Sequence, residues 1–221
     1  MDDLGGPWRV AFEEAWASWV AGNFGIGAVL IDPADWSVVS VGRNRVAQSE
    51  SEPGLLSGNM TAHAEMNAFA AMRRWNAAGL HVYSTLEPCI MCISSAMLLK
   101  VAHVHYAAGD EFFDGLAELW SGHPLTNERF PATTGPLTGE HSQLAAFARF
   151  MPMSFTLQHF PGSSADRQAR DEHPHLATLI DDLLADGSLG DLRTLESVDA
   201  ALETLAPRLP GWGQAPSGPP D

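Results

Sequence analysis

Residues 85–92 read TLEPCIMC and hold both cysteines of the 221-residue chain. Cys89 and Cys92 stand three apart, directly after Pro88, where the strand-forming run HVYST (81–85) gives way to the helix-forming ISSAMLLK (93–100). A proline suits the first turn of a helix, because its missing N–H would find no partner there. A helix opening at Pro88 therefore projects both thiols from one face. The positive end of the helix dipole favours thiolate over thiol, the form that binds metal. Three roles are open to such a pair: a disulfide or redox couple, half of a structural zinc site, or part of a catalytic metal site.

The candidate partners lie upstream. TAHAE (61–65) opens the helix-forming stretch MTAHAEMNAFAAMRRW (60–75), read as a helix over 61–75 with Met66, Phe69, Ala70 and Ala71 on its buried stripe. His63 adds one nitrogen to two thiolates. Three protein ligands leave a position of a tetrahedral zinc for water, whereas structural zinc is closed by four. Glu65, two residues on, is a carboxylate that need not share the metal and can carry protons. A redox CxxC does not ask for H-x-E upstream. His81, His103 and His105 lie in or beside strands and read as core or surface histidines rather than as a fourth zinc ligand.

The remaining elements follow from pattern. PWRVAFEEAWASWVA (7–21) reads as an amphipathic helix with Val10, Trp16, Trp19 and Val20 on its apolar face. GIGAVLI (25–31) and WSVVSVG (36–42) read as strands around the turn DPAD, and VAHVHYA (101–107) as a fourth strand. A helix-like FFDGLAELW (112–120), a loop rich in Pro, Gly and Thr (121–139) and a helix-like GEHSQLAAFARF (139–150) precede MSFTLQ (153–158), read as a fifth strand. So long a crossover suits a fifth strand parallel to the fourth. The resulting class is α/β, a three-layer α-β-α sandwich around a five-stranded mixed sheet, with a C-terminal helical extension. The expected organisation is a domain over 1–161, a helical extension over 162–205 and a disordered tail over 206–221.

Composition narrows the partners. The net charge is −15, with 12 basic against 27 acidic residues. Nucleic-acid binding draws on Lys and Arg, so this balance predicts no nucleic-acid partner and a small, uncharged substrate. No apolar run approaches the length of a membrane span, and the acidic start MDDLGGPW is unlike a secretory signal, so the expectation is a cytoplasmic protein with no membrane partner. Apolar residues on the helices at 88–100 and 175–205 predict a homodimer.

Taken together, H-A-E followed by P-C-x-x-C on two successive helix starts resembles the cytidine deaminase-like superfamily of zinc enzymes acting on nucleobases. The resemblance covers roughly residues 8–158, and T-A-H-A-E with T-L-E-P-C-x-M-C is most similar to the branch of tRNA adenosine deaminases and bacterial guanine deaminases. It implies a Zn²⁺ held by His63, Cys89 and Cys92, with Glu65 as the proton carrier. It also implies parallel fourth and fifth strands and a dimer. By the same resemblance Asn44, in GRNRV (42–46), is a substrate contact; read alone it is as well explained as a turn residue. The run around Phe112 and Phe113, with Trp120, is read as a lid, or in the plainer reading as core packing, and Asp114 as a partner for ring N–H groups. ISSAM follows the second cysteine where the tRNA enzymes usually show AGAM, and the 121–139 loop and C-terminal third have no recognised counterpart. The leading expectation is a hydrolytic deaminase of a small nucleobase or nucleoside, a purine first. The alternatives are a deaminase acting on tRNA or single-stranded DNA, or a non-catalytic zinc scaffold.

Overall fold

A computed structural model describes residues 5–50, 52–110, 112 and 115–210. The first half runs α1 (Gly6–Val20), β1 (Gly27–Asp32), β2 (Ser37–Arg43), α2 (Ala64–Ala71), β3 (His81–Leu86), α3 (Ile90–Leu99) and β4 (His103–Ala108). The second half adds α4 (Leu116–Ser121), α5 (Pro124–Arg129), β5 (Ala132–Thr134), α6 (Ser142–His159), α7 (Ser164–Glu172), α8 (Pro174–Ala185), α9 (Ser188–Leu192) and α10 (Val198–Leu205). The sheet order is β2-β1-β3-β4-β5. Strand β1 is antiparallel to β2 and β3, whereas β3, β4 and β5 are parallel.

Alternation along the strands builds two cores. Val29, Ile31 and Tyr83 face α1 and α6, while Ala28, Leu30, Val82 and Val104 face α2 and α3. Glycine sets the spacing of both layers. A Cβ on Gly27 would stand 2.1 Å from Ala11 O in α1, and one on Gly42 would stand 2.2 Å from Ala64 O and 2.3 Å from Ala68 N in α2. Two helices therefore lie backbone-close on the sheet at positions that only glycine permits.

Helices α8 and α10 cover the outer side of α6 and α1, burying Leu176, Ile180, Leu183 and Ala201 in the same core. Arg193 stacks on the Trp19 ring, its guanidinium carbon 4.7 Å from the centroid. Trp19 Nε1 in turn donates to Ser154 Oγ of α6 at 2.8 Å. Ala206 and Leu209 are buried as well. The rest of the expected tail, residues 211–221, lies outside the described residues. Among the described residues no helix is long and apolar enough to cross a membrane.

Three expectations change. The fifth strand is not MSFTLQ: residues 153–158 finish α6, and β5 is the short ATT inside the expected loop. The alternation of Met153, Phe155 and Leu157 imitates a strand because α6 is buried on nearly all sides, so its apolar residues carry no clean 3.6-residue signature. The parallel pairing to β4 holds, with a different segment supplying it. Helix α2 is also shorter than expected, and Ala70 and Ala71 are exposed. Val20, at the end of α1, is 43% exposed.

Gly42→Ala should lift α2 from the sheet. Overpacking of this kind typically costs about 1–3 kcal/mol, so urea unfolding should show a loss in that range or larger. An unchanged midpoint would mean that the α2–β2 contact yields easily.

Candidate active site

Both motifs sit at helix N-termini over the C-terminal ends of the parallel strands, the usual place for a ligand in an open α/β sheet. His63 is the N-cap of α2, in extended conformation. Cys89 is the N-cap of α3, so the helix begins one residue past the cysteine and two past Pro88. Cys92 lies in the first turn. Asn67 anchors the start of α2: its Oδ1 accepts Leu56 N–H at 2.7 Å, and its Nδ2 donates to Arg43 O at 3.0 Å and Leu56 O at 3.1 Å.

The three expected ligands converge. His63 Nδ1 is 3.5 Å from Cys89 Sγ and 3.6 Å from Cys92 Sγ, and the sulfurs are 3.6 Å apart. Zn–S bonds of about 2.3 Å and Zn–N bonds of about 2.0 Å at tetrahedral angles call for edges of roughly 3.5–3.8 Å. The triangle thus fits zinc without rearrangement. It does not fit a disulfide, whose sulfurs stand about 2 Å apart, and both cysteines are free. The same three residues form a possible metal-holding group.

The electrostatics suit a cation. The Cys92 thiol and then His63 stabilise the Cys89 thiolate and lower its pKa to about 4. The Cys92 thiol is pushed well up, first by its hydrogen bond to Cys89, then by burial and by Glu65. Burial disfavours charge on His63, but Cys89 and Glu65 outweigh it and raise its pKa.

Glu65 is 4% exposed. Its Oε1 accepts the Ser84 hydroxyl at 2.9 Å, and its Oε2 lies 3.3 Å from Cys92 Sγ. Burial raises its pKa despite the opposing charge of His63. A carboxyl that holds its proton more tightly than an exposed one is suited to accept and return a proton.

His63, Glu65 and Cys89 open onto a cavity of about 350 Å³, within the usual range for a small-molecule site. Asn44 lines it and is buried. Its Oδ1 accepts Val46 N–H at 3.2 Å, so it is a turn residue and a cavity residue at once. Phe112 lines the mouth and is 51% exposed. Trp120 does not line the cavity: it lies in the last turn of α4, where its carbonyl accepts the Thr126 hydroxyl of α5. The expected roles of Phe113 and Asp114 fall outside the described residues. Sequence reasoning missed the far wall, which Met153 and Thr156 of α6 and Gln168 and Ala169 of α7 supply. No motif marks those positions.

Comparison with known proteins agrees with this geometry. Residues 7–108 match the family model "Cytidine and deoxycytidylate deaminase zinc-binding region". The tRNA-specific adenosine deaminase of Aquifex aeolicus is 30% identical over 145 residues, 63% of this chain and 89% of that protein. The enzyme of the same name from Streptococcus pyogenes serotype M1 is 30% identical over 119 residues, 54% of this chain and 65% of that protein, so less than two thirds of its length is spanned. A solved structure from a study of A-to-I editing by tRNA:A34 deaminases superposes with a TM-score of 0.51 at 24% identity, covering 64% of this chain and 97% of that one. It shares the fold.

These relatives overturn the expectation of no nucleic-acid partner, because they are named for action on tRNA. The charge argument failed for a physical reason. Of the 27 acidic residues, 11 lie after residue 161, against four of the 12 basic ones. Outside that segment 16 acidic residues still face eight basic ones, but a net count does not say where those eight lie, and a surface interaction falls off within a Debye length of about 8–10 Å. The sum over the chain is not the potential at the site mouth.

After dialysis against a weak chelator, the protein should retain one zinc per chain. His63→Ala and Cys89→Ala should retain less than a tenth of that by elemental analysis. Zinc-free wild-type protein, or a Cys89–Cys92 disulfide in fresh material, would contradict the assignment.

Proposed function

The chain belongs to the cytidine deaminase-like superfamily, and from that membership we propose that it is a zinc-dependent hydrolytic deaminase, with adenosine in tRNA as the first substrate class. The observation carrying the chemistry is Glu65, buried and bonded to Ser84 beside the His63, Cys89 and Cys92 triangle. A zinc scaffold has no use for a buried carboxylate in that place, because burying one costs free energy unless it is matched to a task.

His63, Cys89 and Cys92 would hold the ion, which lowers the pKa of a coordinated water toward neutrality when bound. The chain's own residues do the rest. Glu65 accepts a proton from the attacking water as oxygen bonds to the ring carbon that bears the exocyclic amine. It passes that proton to the adjacent ring nitrogen, then takes the proton of the newly formed hydroxyl and delivers it to the amine. The C–N bond breaks, NH₃ leaves, and a carbonyl replaces the amine: one water in, one ammonia out. Ser84 holds Oε1, so that the carboxylate keeps its direction through both transfers. Asn44 is placed to meet the substrate's edge or sugar, and Phe112 to cover the opening.

A free purine base or nucleoside is the second reading, favoured by one observation. Gln168 and Ala169 of α7 stand in the cavity wall, beyond the matched region, so the cavity is partly closed by a segment outside the deaminase motifs. The cytoplasm is the proposed compartment for either substrate, and a homodimer the proposed assembly, with Ile90 and Leu98 of α3 exposed.

Competition kinetics should separate the substrates. The first reading expects inosine in tRNA transcripts with kcat/KM at least tenfold above that of any free purine, pyrimidine or nucleoside. Higher kcat/KM on a free base would establish the second reading instead.

Glu65→Gln should keep the fold and the zinc while losing at least about 10²–10⁴ of the rate, the usual worth of one general acid–base group. A variant keeping more than a tenth of wild-type turnover would remove Glu65 from the chemistry.

A further inference from the structure

The opposite end of β3 carries a second group of metal-ligand side chains, unconnected with the deaminase chemistry. His81 opens β3, while His103 and His105 lie on β4. The parallel register pairs His81 with His103 and Tyr83 with His105, so the three imidazoles share one face of the sheet. His105 Nε2 lies 3.2 Å from His81 Nδ1. His103 and His105 stack at 4.1 Å between centroids. One ligand nitrogen from each residue falls within 4.8 Å of the other two.

We propose that His81, His103 and His105 form a second metal site, for a divalent ion that prefers imidazole, such as Zn²⁺, Cu²⁺ or Ni²⁺. Zn–N bonds of about 2.0 Å at tetrahedral angles place two ligand nitrogens roughly 3.3 Å apart. The His81–His105 pair already has that spacing. His103 completes the set by a small turn of its ring, which is partly exposed and stacks on His105. Thr134 Oγ1 of β5 lies 2.8 Å from His103 Nε2. It can accept that N–H and leave Nδ1 for the metal, the kind of outer partner that orients a ligating histidine. Tyr83 stacks on His105 at 4.3 Å and fixes its plane.

Two of the three imidazoles, His81 and His105, favour the neutral form needed for ligation. Burial, then the neighbouring imidazoles, lower the pKa of His105 to about 4, and burial and His103 lower that of His81. Three strands meet at the group, so an ion there would tie β3, β4 and the short β5 together. Three ligands leave the solvent side open.

The test uses the full chain with no affinity tag, already carrying zinc at His63, Cys89 and Cys92. Dialysis against micromolar Zn²⁺ should bring the content to two equivalents per chain, and Cu²⁺ should give an electron paramagnetic resonance signal with nitrogen hyperfine structure. The double variant His81→Gln, His105→Gln should return to one equivalent with the first site full. His103→Ala, a change at a partly exposed position, should weaken the second equivalent at least tenfold and serves if the double variant does not fold. A wild-type chain that takes up only one equivalent would overturn the proposal. A second equivalent that keeps its affinity in both variants would overturn it as well.

Discussion

Two helices that start at one point hold this site together. Helices α2 and α3 both begin over the C-terminal end of β3, and their N-cap residues, His63 and Cys89, come within 3.5 Å. The arrangement places two dipole ends against the Cys89 sulfur and the Glu65 carboxyl. It also requires that α2 lie hard on β2, which Gly42 permits, and that its first turn be fixed, which Asn67 achieves through three hydrogen bonds. Moving either helix by an ångström would open the triangle beyond zinc's reach.

The remainder of the fold serves that convergence. Strand β3 is central and delivers Ser84 from its middle and Cys89 just past its end. Helices α1 and α6 close the other face of the sheet with Trp19, Phe147 and Phe150, and the C-terminal helices cover those two in turn. The segment after residue 161 is therefore continuous with the core, and through α7 it also reaches the cavity.

How much of this was legible in sequence depends on range. His63, Glu65, Cys89 and Cys92 could be read because each motif is local and its helix start is signalled by neighbouring residues. The first four strands could be read from short apolar runs between turn residues. The fifth could not: ATT at 132–134 is three exposed residues, and MSFTLQ offered a stronger alternation that belonged to a fully buried helix. Trp120 was misplaced because an aromatic near a motif in sequence need not be near it in space. Gln168 and Ala169 could not be found, because their approach to the site depends on the packing of α7 against α6 and on no local signal. The three imidazoles of β3 and β4 were visible one by one, but only the parallel register brings them together.

The central claim is a three-ligand zinc with an open position beside Glu65. X-ray absorption at the zinc edge, on the His81→Gln, His105→Gln variant so that a single site contributes, tests it most directly. The account predicts two sulfur neighbours near 2.3 Å and two lighter neighbours near 2.0 Å, the values expected for two cysteines, one histidine and one solvent oxygen. One sulfur or none, or lighter neighbours that are both histidine, would contradict it.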